Sequence, residues 1–249
     1  MNAPKLFTLL FCCFISINIF AQSPKAIEAD LGKSFKKIAY WEQHKNDNDV
    51  TGDDSLRKAN DRFQQKLKRY TVKYPFTLNQ SFSSISHLAV RTSIDKKVRC
   101  YSWDDGTGGT LRYYKNTIQY KYGGHLYSVN GQDIGLITAV YMVEVNNQTY
   151  YLITSFGQAM SIYFGEGVQV WSIQNGRLNK NSKLFKTSSG FKNAINYFYY
   201  WDEDPLAGHL RYDKKSRIFS IPITTKEEKL TGRYMRYKFT GKYFELVKN

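Results

Sequence analysis

The chain is predicted to be mainly β: an N-terminal helical hairpin followed by an antiparallel β-meander that folds as a sandwich or open barrel. Apolar residues recur every three or four positions before residue 80 and every second position after it. Short turn dipeptides separate the later segments and favour antiparallel neighbours, because parallel strands need long crossovers. A small, degenerate β-propeller is the alternative architecture. The predicted organisation is 1–21 signal peptide, 22–79 helical region and 80–249 β domain.

Residues 1–21 have the features of a cleavable secretory signal peptide. Lys5 precedes a run without charged residues that lasts until Ser23, and Ala21 provides a small residue before the predicted cleavage. A retained membrane anchor is the alternative, and it is disfavoured because no basic cluster follows the run directly. We therefore expect a secreted or periplasmic protein with no membrane span after cleavage.

The three cysteines fit the same prediction. Cys12 and Cys13 lie inside the predicted signal peptide, and lipidation there is disfavoured because the bulky Phe11 precedes them. Cleavage leaves Cys100 alone, so no intrachain disulfide can form. Its alternating neighbours predict a packed thiol in a strand rather than a nucleophile.

The net charge is basic. The chain has 36 Lys and Arg against 21 Asp and Glu, a formal charge of +15. Such a charge favours anionic partners, and outside the cytoplasm these include acidic polysaccharides and envelope surfaces. A dispersed basic surface that keeps the protein soluble explains the same composition equally well. Nucleic acid is not favoured as a partner.

Two segments near the N-terminus carry helical periodicity. The first, 24–45, and the second, 53–70, each place apolar residues on one stripe. Asp53, Asp54 or Ser55 is expected to cap the second helix, and Pro75 is expected to end it, since the residue before proline is disfavoured in helix. The predicted stripes are Ile27, Leu31, Phe35, Ile38 and Trp41, then Leu56, Ala59, Phe63, Leu67 and Tyr70.

After residue 80 the pattern is that of β-strands rich in aromatic and β-branched residues. Five turn signals separate them: Asp95-Lys96, Asn146-Asn147, Asn175-Gly176, Asp213-Lys214 and Thr240-Gly241. Their irregular spacing argues against a regular propeller. The predicted strands are 85–92, 97–103, 110–122, 135–145, 149–156, 160–173, 194–201, 208–213, 217–223 and 233–246.

The loop 101–110 is the first candidate ligand-binding segment. Its glycines allow a ligand to approach the backbone closely, and its two carboxylates could act as acid and base or bind a cation. A structural turn is the competing interpretation, since Gly and Asp dominate turns. Ser102-x-Asp104-x-Gly106 resembles half of the Asp-box of sialidase-type propellers, which is a fold element there. The candidates are Trp103, Asp104, Asp105, Gly108 and Gly109.

The aromatic run 197–201 with its acidic continuation is the second candidate segment. As a strand it places alternate aromatic side chains on opposite faces, one row for the core and one for a platform that stacks sugar rings. A core strand ending in an acidic turn is the competing interpretation. The candidates are Tyr199, Trp201, Asp202 and Asp204.

Metal and nucleophilic chemistry have little support in the sequence. Asp47 and Asp49 have the opening spacing of a calcium loop, but Lys58 stands where the bidentate Glu is needed. The histidines do not stand at metal-ligand spacing, and neither a nucleophile elbow nor a phosphate-binding glycine loop is present. We predict no metal and no cofactor.

Three stretches together resemble a group of secreted, uncharacterised β-rich proteins of Bacteroidota. They are the Phe-Ala-Gln end of the signal, residues 92–104 with Gly108-Gly109-Thr110, and residues 237–245. The resemblance implies export and a β-rich fold and implies no activity or site.

The leading functional hypothesis is a non-enzymatic binding protein for a glycan or another anionic envelope or extracellular ligand. A carboxylate-dependent, glycan-active hydrolase is the second hypothesis, and it requires two facing carboxyl groups across a cleft. An envelope structural or assembly protein is the third, and it requires a large exposed apolar patch.

Overall fold

The computed structural model describes residues 23–45, 51–131, 134–201 and 209–247. The predicted signal peptide and the calcium-like positions Asp47 and Asp49 lie outside the described residues. Within the described ranges, no helix combines the length and apolar character needed to cross a membrane.

The predicted fold class is confirmed: two helices precede antiparallel β-meander sheets, and the described strands do not close into a barrel. The helices are α1 (Pro24–Gln43) and α2 (Thr51–Lys73), with a short 3₁₀ helix at Pro75–Leu78. The strands are β1 (Ala89–Thr92), β2 (Val98–Asp104), β3 (Tyr114–Tyr122), β4 (His125–Gly131), β5 (Leu136–Val145), β6 (Gln148–Met160), β7 (Tyr163–Gln174), β8 (Arg177–Asn179), β9 (Phe185–Thr187), β10 (Gly190–Lys192), β11 (Ala194–Tyr200), β12 (Arg211–Asp213), β13 (Ile218–Thr224), β14 (Leu230–Phe239) and β15 (Phe244–Leu246).

The strands form three sheets. The inner sheet has the order β1-β2-β3-β4, and the middle sheet has the order β11-β7-β6-β5 with β8 also paired to β7. The outer sheet has the order β10-β9-β15-β14-β13-β12, in which β15 and β9 pair in parallel. The other strand pairs are antiparallel, as predicted from the short links.

Three hydrophobic cores stack the sheets in layers. The helices pack on one face of the inner sheet through Tyr101 and Trp103 of β2. The opposite face of β2, with Val98 and Cys100, packs on the middle sheet, and the far side of the middle sheet packs on the outer sheet. The order is therefore helices, inner sheet, middle sheet and outer sheet, rather than the radial blades of a propeller.

The predicted helical stripes form the first core. All ten positions pack there, nine of them buried and Trp41 partly buried. Ser23 caps α1 by accepting a hydrogen bond from the Ala26 amide at 3.2 Å. The predicted capping of α2 by Asp53, Asp54 or Ser55 is wrong, because the helix already begins at Thr51 and these residues lie in its first turns. Tyr74 is extended before Pro75, which ends the helix as predicted.

All five predicted turn signals join antiparallel strand pairs. At Asn146-Asn147 both residues have positive φ, 49° and 62°, the backbone that a tight two-residue hairpin requires. Five further antiparallel pairs of consecutive strands had no predicted turn signal: β2–β3, β3–β4, β6–β7, β9–β10 and β13–β14. The predicted strand 110–122 begins only at Tyr114 because residues 105–113 form a loop.

Candidate functional site

A cleft of about 940 Å³ opens between the loop 105–113, here called the cleft loop, and one end of the middle sheet. Amide, aromatic and small side chains dominate its lining. Its lining includes Gln64, Asp105, Arg112, Tyr113, Tyr114, Lys115, Asn130, Gly157, Gln158, Gly165, Glu166, Gly167, Gln169, Asn196 and Phe198.

Three glycines form the floor of the cleft. Gly157 of β6 stands directly opposite Gly165 of β7, and Gly167 follows two residues later on the same face. The Phe198 ring lies over Gly165, at 2.7 Å from the place that a Cβ would occupy, and the Asn196 amide lies over Gly167. A Cβ at Gly157 would have the Gly165 carbonyl oxygen as its nearest neighbour, at 4.0 Å. Gly165 and Gly167 carry no side chain because Phe198 and Asn196 occupy that space, and the cleft is open above Gly157.

Hydrogen bonds from two directions fix the cleft loop. Lys45 at the end of α1 donates from Nζ to the carbonyl oxygens of Gly106 and Gly108, both at 2.7 Å. The Arg112 amide donates to the Gln158 carbonyl on β6 at 2.9 Å, which ties the loop to the middle sheet. Gly108 cannot carry a side chain, since its Cβ would lie 1.8 Å from the Leu111 carbonyl oxygen. The loop is thus a structural turn that forms one wall of the cleft.

The two loop aspartates hold this turn. Asp104 accepts hydrogen bonds from the Gly106 amide at 2.9 Å and from Arg112 at 3.2 Å. Asp105 accepts from the amide and the hydroxyl of Thr107, at 2.9 and 2.6 Å, through a single carboxylate oxygen. Gly109 is exposed with open space around it, and it does not line the cleft. Of the five candidates in 101–110, only Asp105 lines the cleft.

Trp103 belongs to the first core. Its side chain has no exposed surface, its ring packs edge-on against Phe63, and its indole N–H donates to Asn60 Oδ1 at 2.9 Å. Asn60 in turn donates to the Asp105 carbonyl at 2.8 Å. Trp103 therefore supports the cleft loop from beneath and presents no ring face to a ligand.

Tyr199 also lies in a core, where it joins a buried cluster around Glu166. The Glu166 carboxylate accepts hydrogen bonds from the hydroxyls of Tyr197 and Tyr199, at 2.8 and 3.1 Å, and from the Leu210 amide at 2.9 Å. His209 Nδ1 lies 2.6 Å from the same carboxylate and donates to it. Burial and the adjacent carboxylate raise the pKa of both tyrosines, so they stay protonated donors.

Two of the remaining aromatic residues of 197–201 form an exposed row that begins at the cleft. Phe198 and Tyr200, here called the aromatic row, are 49 % and 37 % exposed. Trp201 is 42 % exposed, and its ring packs on Phe164 at 5.3 Å, on the same face of the sheet as Tyr199. Tyr163 lies beside Phe198 and Tyr200, with ring centroids 6.0 and 4.8 Å apart. The alternation predicted for this strand is confirmed, with Tyr197 and Tyr199 in the core. Asp202 and Asp204 lie outside the described residues.

The cleft brings both predicted segments together, through Asp105 from one and Phe198 from the other. Sequence reasoning missed most of the polar wall, including Gln158, Gln169 and Asn196. One signal for it was present in the sequence. The alternate glycines Gly165-x-Gly167 inside a strand mark a place where something approaches the backbone closely.

The described residues form no site suited to metal binding or thiol chemistry. No three of their His, Cys, Asp and Glu side chains are grouped so that they could hold a metal ion. Cys100 is fully buried and unpaired, as predicted, and burial raises its thiol pKa to about 12.

The buried thiol predicts a loss of stability at alkaline pH. The folded pKa is about 12 and the ordinary value is 9.0, so the protonated thiol contributes stability that is fully present below pH 9. This stability is lost as the pH rises through that interval. Between pH 8 and 11 we expect the wild-type free energy of unfolding to fall by about 2 kcal/mol more than that of Cys100→Ala, measured by urea titration. Parallel pH profiles of the two proteins would contradict it.

The fold and cleft define a layered β protein with a helical hairpin on one face and an amide-lined, glycine-floored cleft. No protein-family model, curated protein or solved structure matches this chain.

Proposed function

We propose that this protein is a non-enzymatic, exported binding protein that holds a glycan in the cleft. The observation that carries the proposal is the combination of an aromatic row with an amide-lined cleft. The Phe198 ring belongs to both, so a sugar chain that enters the cleft continues along Tyr163 and Tyr200. The proposal that the protein is exported rests on the signal-peptide features of residues 1–21.

The polar wall supports a ligand rich in hydroxyl groups. Side-chain amides each offer both donors and acceptors, and Gln158, Asn130 and Asn196 bring such groups to the cleft. Phe198, Tyr113 of the cleft loop and Tyr114 at the start of β3 add flat apolar faces. Sugars present the same mixture, with hydroxyls around a ring and C–H groups on its faces.

The charges in the cleft support an uncharged glycan. Among the described residues, the ionisable side chains that face the cleft are the carboxylate of Asp105 and the cations of Arg112 and Lys115, while the Glu166 side chain lies on the opposite face of β7. Arg112 lies 3.2 Å from Asp104, and Lys115 lies 3.0 Å from Asp61. The basic net charge of the chain is therefore not concentrated here.

The arrangement of the carboxylates in the described lining favours a binding protein over a glycoside hydrolase. A glycosidase needs one carboxyl group as acid and another as base or nucleophile, facing each other across the scissile bond. Asp105 holds its own turn, and Glu166 accepts hydrogen bonds from the two tyrosines, the Leu210 amide and His209. Both groups are committed to the structure around them.

Phe198→Ala is the direct test of the binding surface. Loss of one stacking ring is expected to weaken binding about fivefold to tenfold, measured by titrating the tightest ligand from a glycan array. Phe191→Ala on β10 is the matched control, because Phe191 is 47 % exposed and lies in the outer sheet. The proposal fails if the array shows no ligand, or if both variants bind as wild type does.

Exposed apolar residues lie next to the aromatic row, and they support envelope assembly as a second candidate function. Met160 and Ile162 are 47 % and 57 % exposed, and the Trp201 amide donates to the Ile162 carbonyl at 2.7 Å. An apolar patch of this kind can bury itself against another protein. Sedimentation of the same wild-type sample distinguishes the two functions: a stable oligomer that Ile162→Ser dissociates, without glycan binding, favours assembly.

A further inference from the structure

A second binding surface lies on the helical hairpin. α1 and α2 leave a groove of about 680 Å³ on their exposed side, lined by Asp30, Lys33, Ser34, Lys37, Ala59, Arg62, Gln65, Lys66 and Arg69. Five of these side chains are cationic and one is a carboxylate, a net charge of +4. We call this surface the basic groove.

The cations stand in two rows. Lys33 and Lys37 are one turn apart on α1, about 6 Å along the axis. Arg62, Lys66 and Arg69 occupy successive turns of α2 and span about 10 Å. The two rows flank a floor of small and polar residues, so the positive charge follows the groove.

Most of this charge is not neutralised within the protein. Asp30 pairs with Lys66 at 3.0 Å and accepts a hydrogen bond from Tyr70 at 2.5 Å, which joins the two helices at one end of the groove. Among the described residues, no carboxylate forms an ion pair with Lys33, Lys37 or Arg62. Unpaired cations this close together repel one another, and a bound polyanion removes the repulsion.

We propose that the basic groove binds a linear, carboxylated polysaccharide. A groove with charges along both walls fits a single narrow chain, whereas a membrane presents a flat surface. The two arginines match carboxylates because the guanidinium fork pairs with both carboxylate oxygens. The described residues of the lining include no aromatic side chain on which the bases of single-stranded nucleic acid could stack.

The basic groove is distinct from the cleft, although both involve α2. Gln64 lines the cleft from the side of α2 that faces the inner sheet, while Arg62 and Lys66 line the groove on its other side. The protein therefore carries one surface for an uncharged glycan and another for an acidic one. Such a protein can link two polymers.

The test compares two triple variants that lower the net charge equally. Lys37→Gln/Arg62→Gln/Arg69→Gln changes the basic groove, and Lys192→Gln/Lys226→Gln/Arg233→Gln changes exposed positions in or beside the outer sheet. Binding of polygalacturonate at low salt is expected to weaken about tenfold or more in the groove variant and less than twofold in the control. The salt dependence of binding should also become shallower in the groove variant alone.

Several outcomes would overturn the proposal. Equal weakening in both triple variants would mean that only the overall charge acts. Binding to duplex DNA or to vesicles with anionic lipid, without binding to polygalacturonate, would assign the groove to another partner. Phe198→Ala should bind polygalacturonate as wild type does, so a failure of the groove proposal and a failure of the cleft proposal are distinguishable.

Discussion

Gly157→Trp is expected to abolish glycan binding while the protein stays folded. The new side chain would start from open space on the cleft floor, since the nearest atom to a Cβ at this position is the Gly165 carbonyl oxygen at 4.0 Å. Tryptophan is well tolerated in strands, and the backbone at Gly157 does not have the positive φ that would require glycine. The indole would fill the volume that we propose for the sugar. We expect a loss of at least about a hundredfold in affinity, the scale of about 3 kcal/mol.

The control for this variant is a tryptophan placed elsewhere. Ser189→Trp adds the same side chain to the exposed turn between β9 and β10, which belong to the outer sheet and do not line the cleft. Its glycan affinity should equal that of wild type, and both variants should keep a thermal midpoint close to that of wild type. If Gly157→Trp binds as tightly as Ser189→Trp, the glycan lies outside the cleft.

The local order of the fold could be predicted from the sequence because it depends on neighbouring residues. A helical stripe such as Ile27, Leu31 and Phe35 specifies its buried face by spacing alone. A dipeptide such as Asn175-Gly176 specifies a hairpin because it tolerates positive φ at both positions. The hairpin between β6 and β7 escaped prediction because its turn, Ser161-Ile162, lacks both glycine and asparagine.

The cleft depends on contacts between residues that are distant in sequence. The loop 101–110 and the strand 197–201 were selected for their composition, and the structure brings Asp105 and Phe198 to one cleft. Composition could not show which aromatic residues face solvent. The prediction that Tyr199 lies on the exposed platform was wrong, because its face of the strand is covered by the outer sheet. Alternation along a strand separates two faces, but it does not show which of them is buried.

The basic groove was hidden in the sequence for a related reason. Lys33 and Lys37, like Arg62, Lys66 and Arg69, are separated by other residues, so the charges look dispersed when read along the chain. The helical repeat brings residues three and four apart onto one face, and the hairpin sets the two faces side by side. The charge pattern becomes visible only when both helices are paired.

Trp103→Ala is expected to destabilise the protein by about 3 to 5 kcal/mol, the largest stability effect that we predict. The ring is fully buried against Phe63, and its removal would also leave the buried Asn60 Oδ1 without its donor. A loss of this size is a large part of the total stability of an ordinary domain. Urea titration followed by circular dichroism measures it, provided that the variant still folds.

Two further variants separate the structural role of Trp103 from a role in binding. Trp103→Phe keeps an aromatic ring in the core but loses part of the ring volume and the indole N–H, so it should fold with a smaller loss of stability than Trp103→Ala and bind glycan almost as wild type does. Tyr200→Ala removes a residue that is 37 % exposed, so the free energy of unfolding should change by less than about 1 kcal/mol while glycan affinity falls. The opposite pattern, with stability unchanged and binding lost in Trp103→Phe, would mean that Trp103 reaches the ligand. The buried position of Trp103 beneath the cleft loop argues for the first pattern, because its hydrogen bond acts on the loop only through Asn60 and the Asp105 carbonyl.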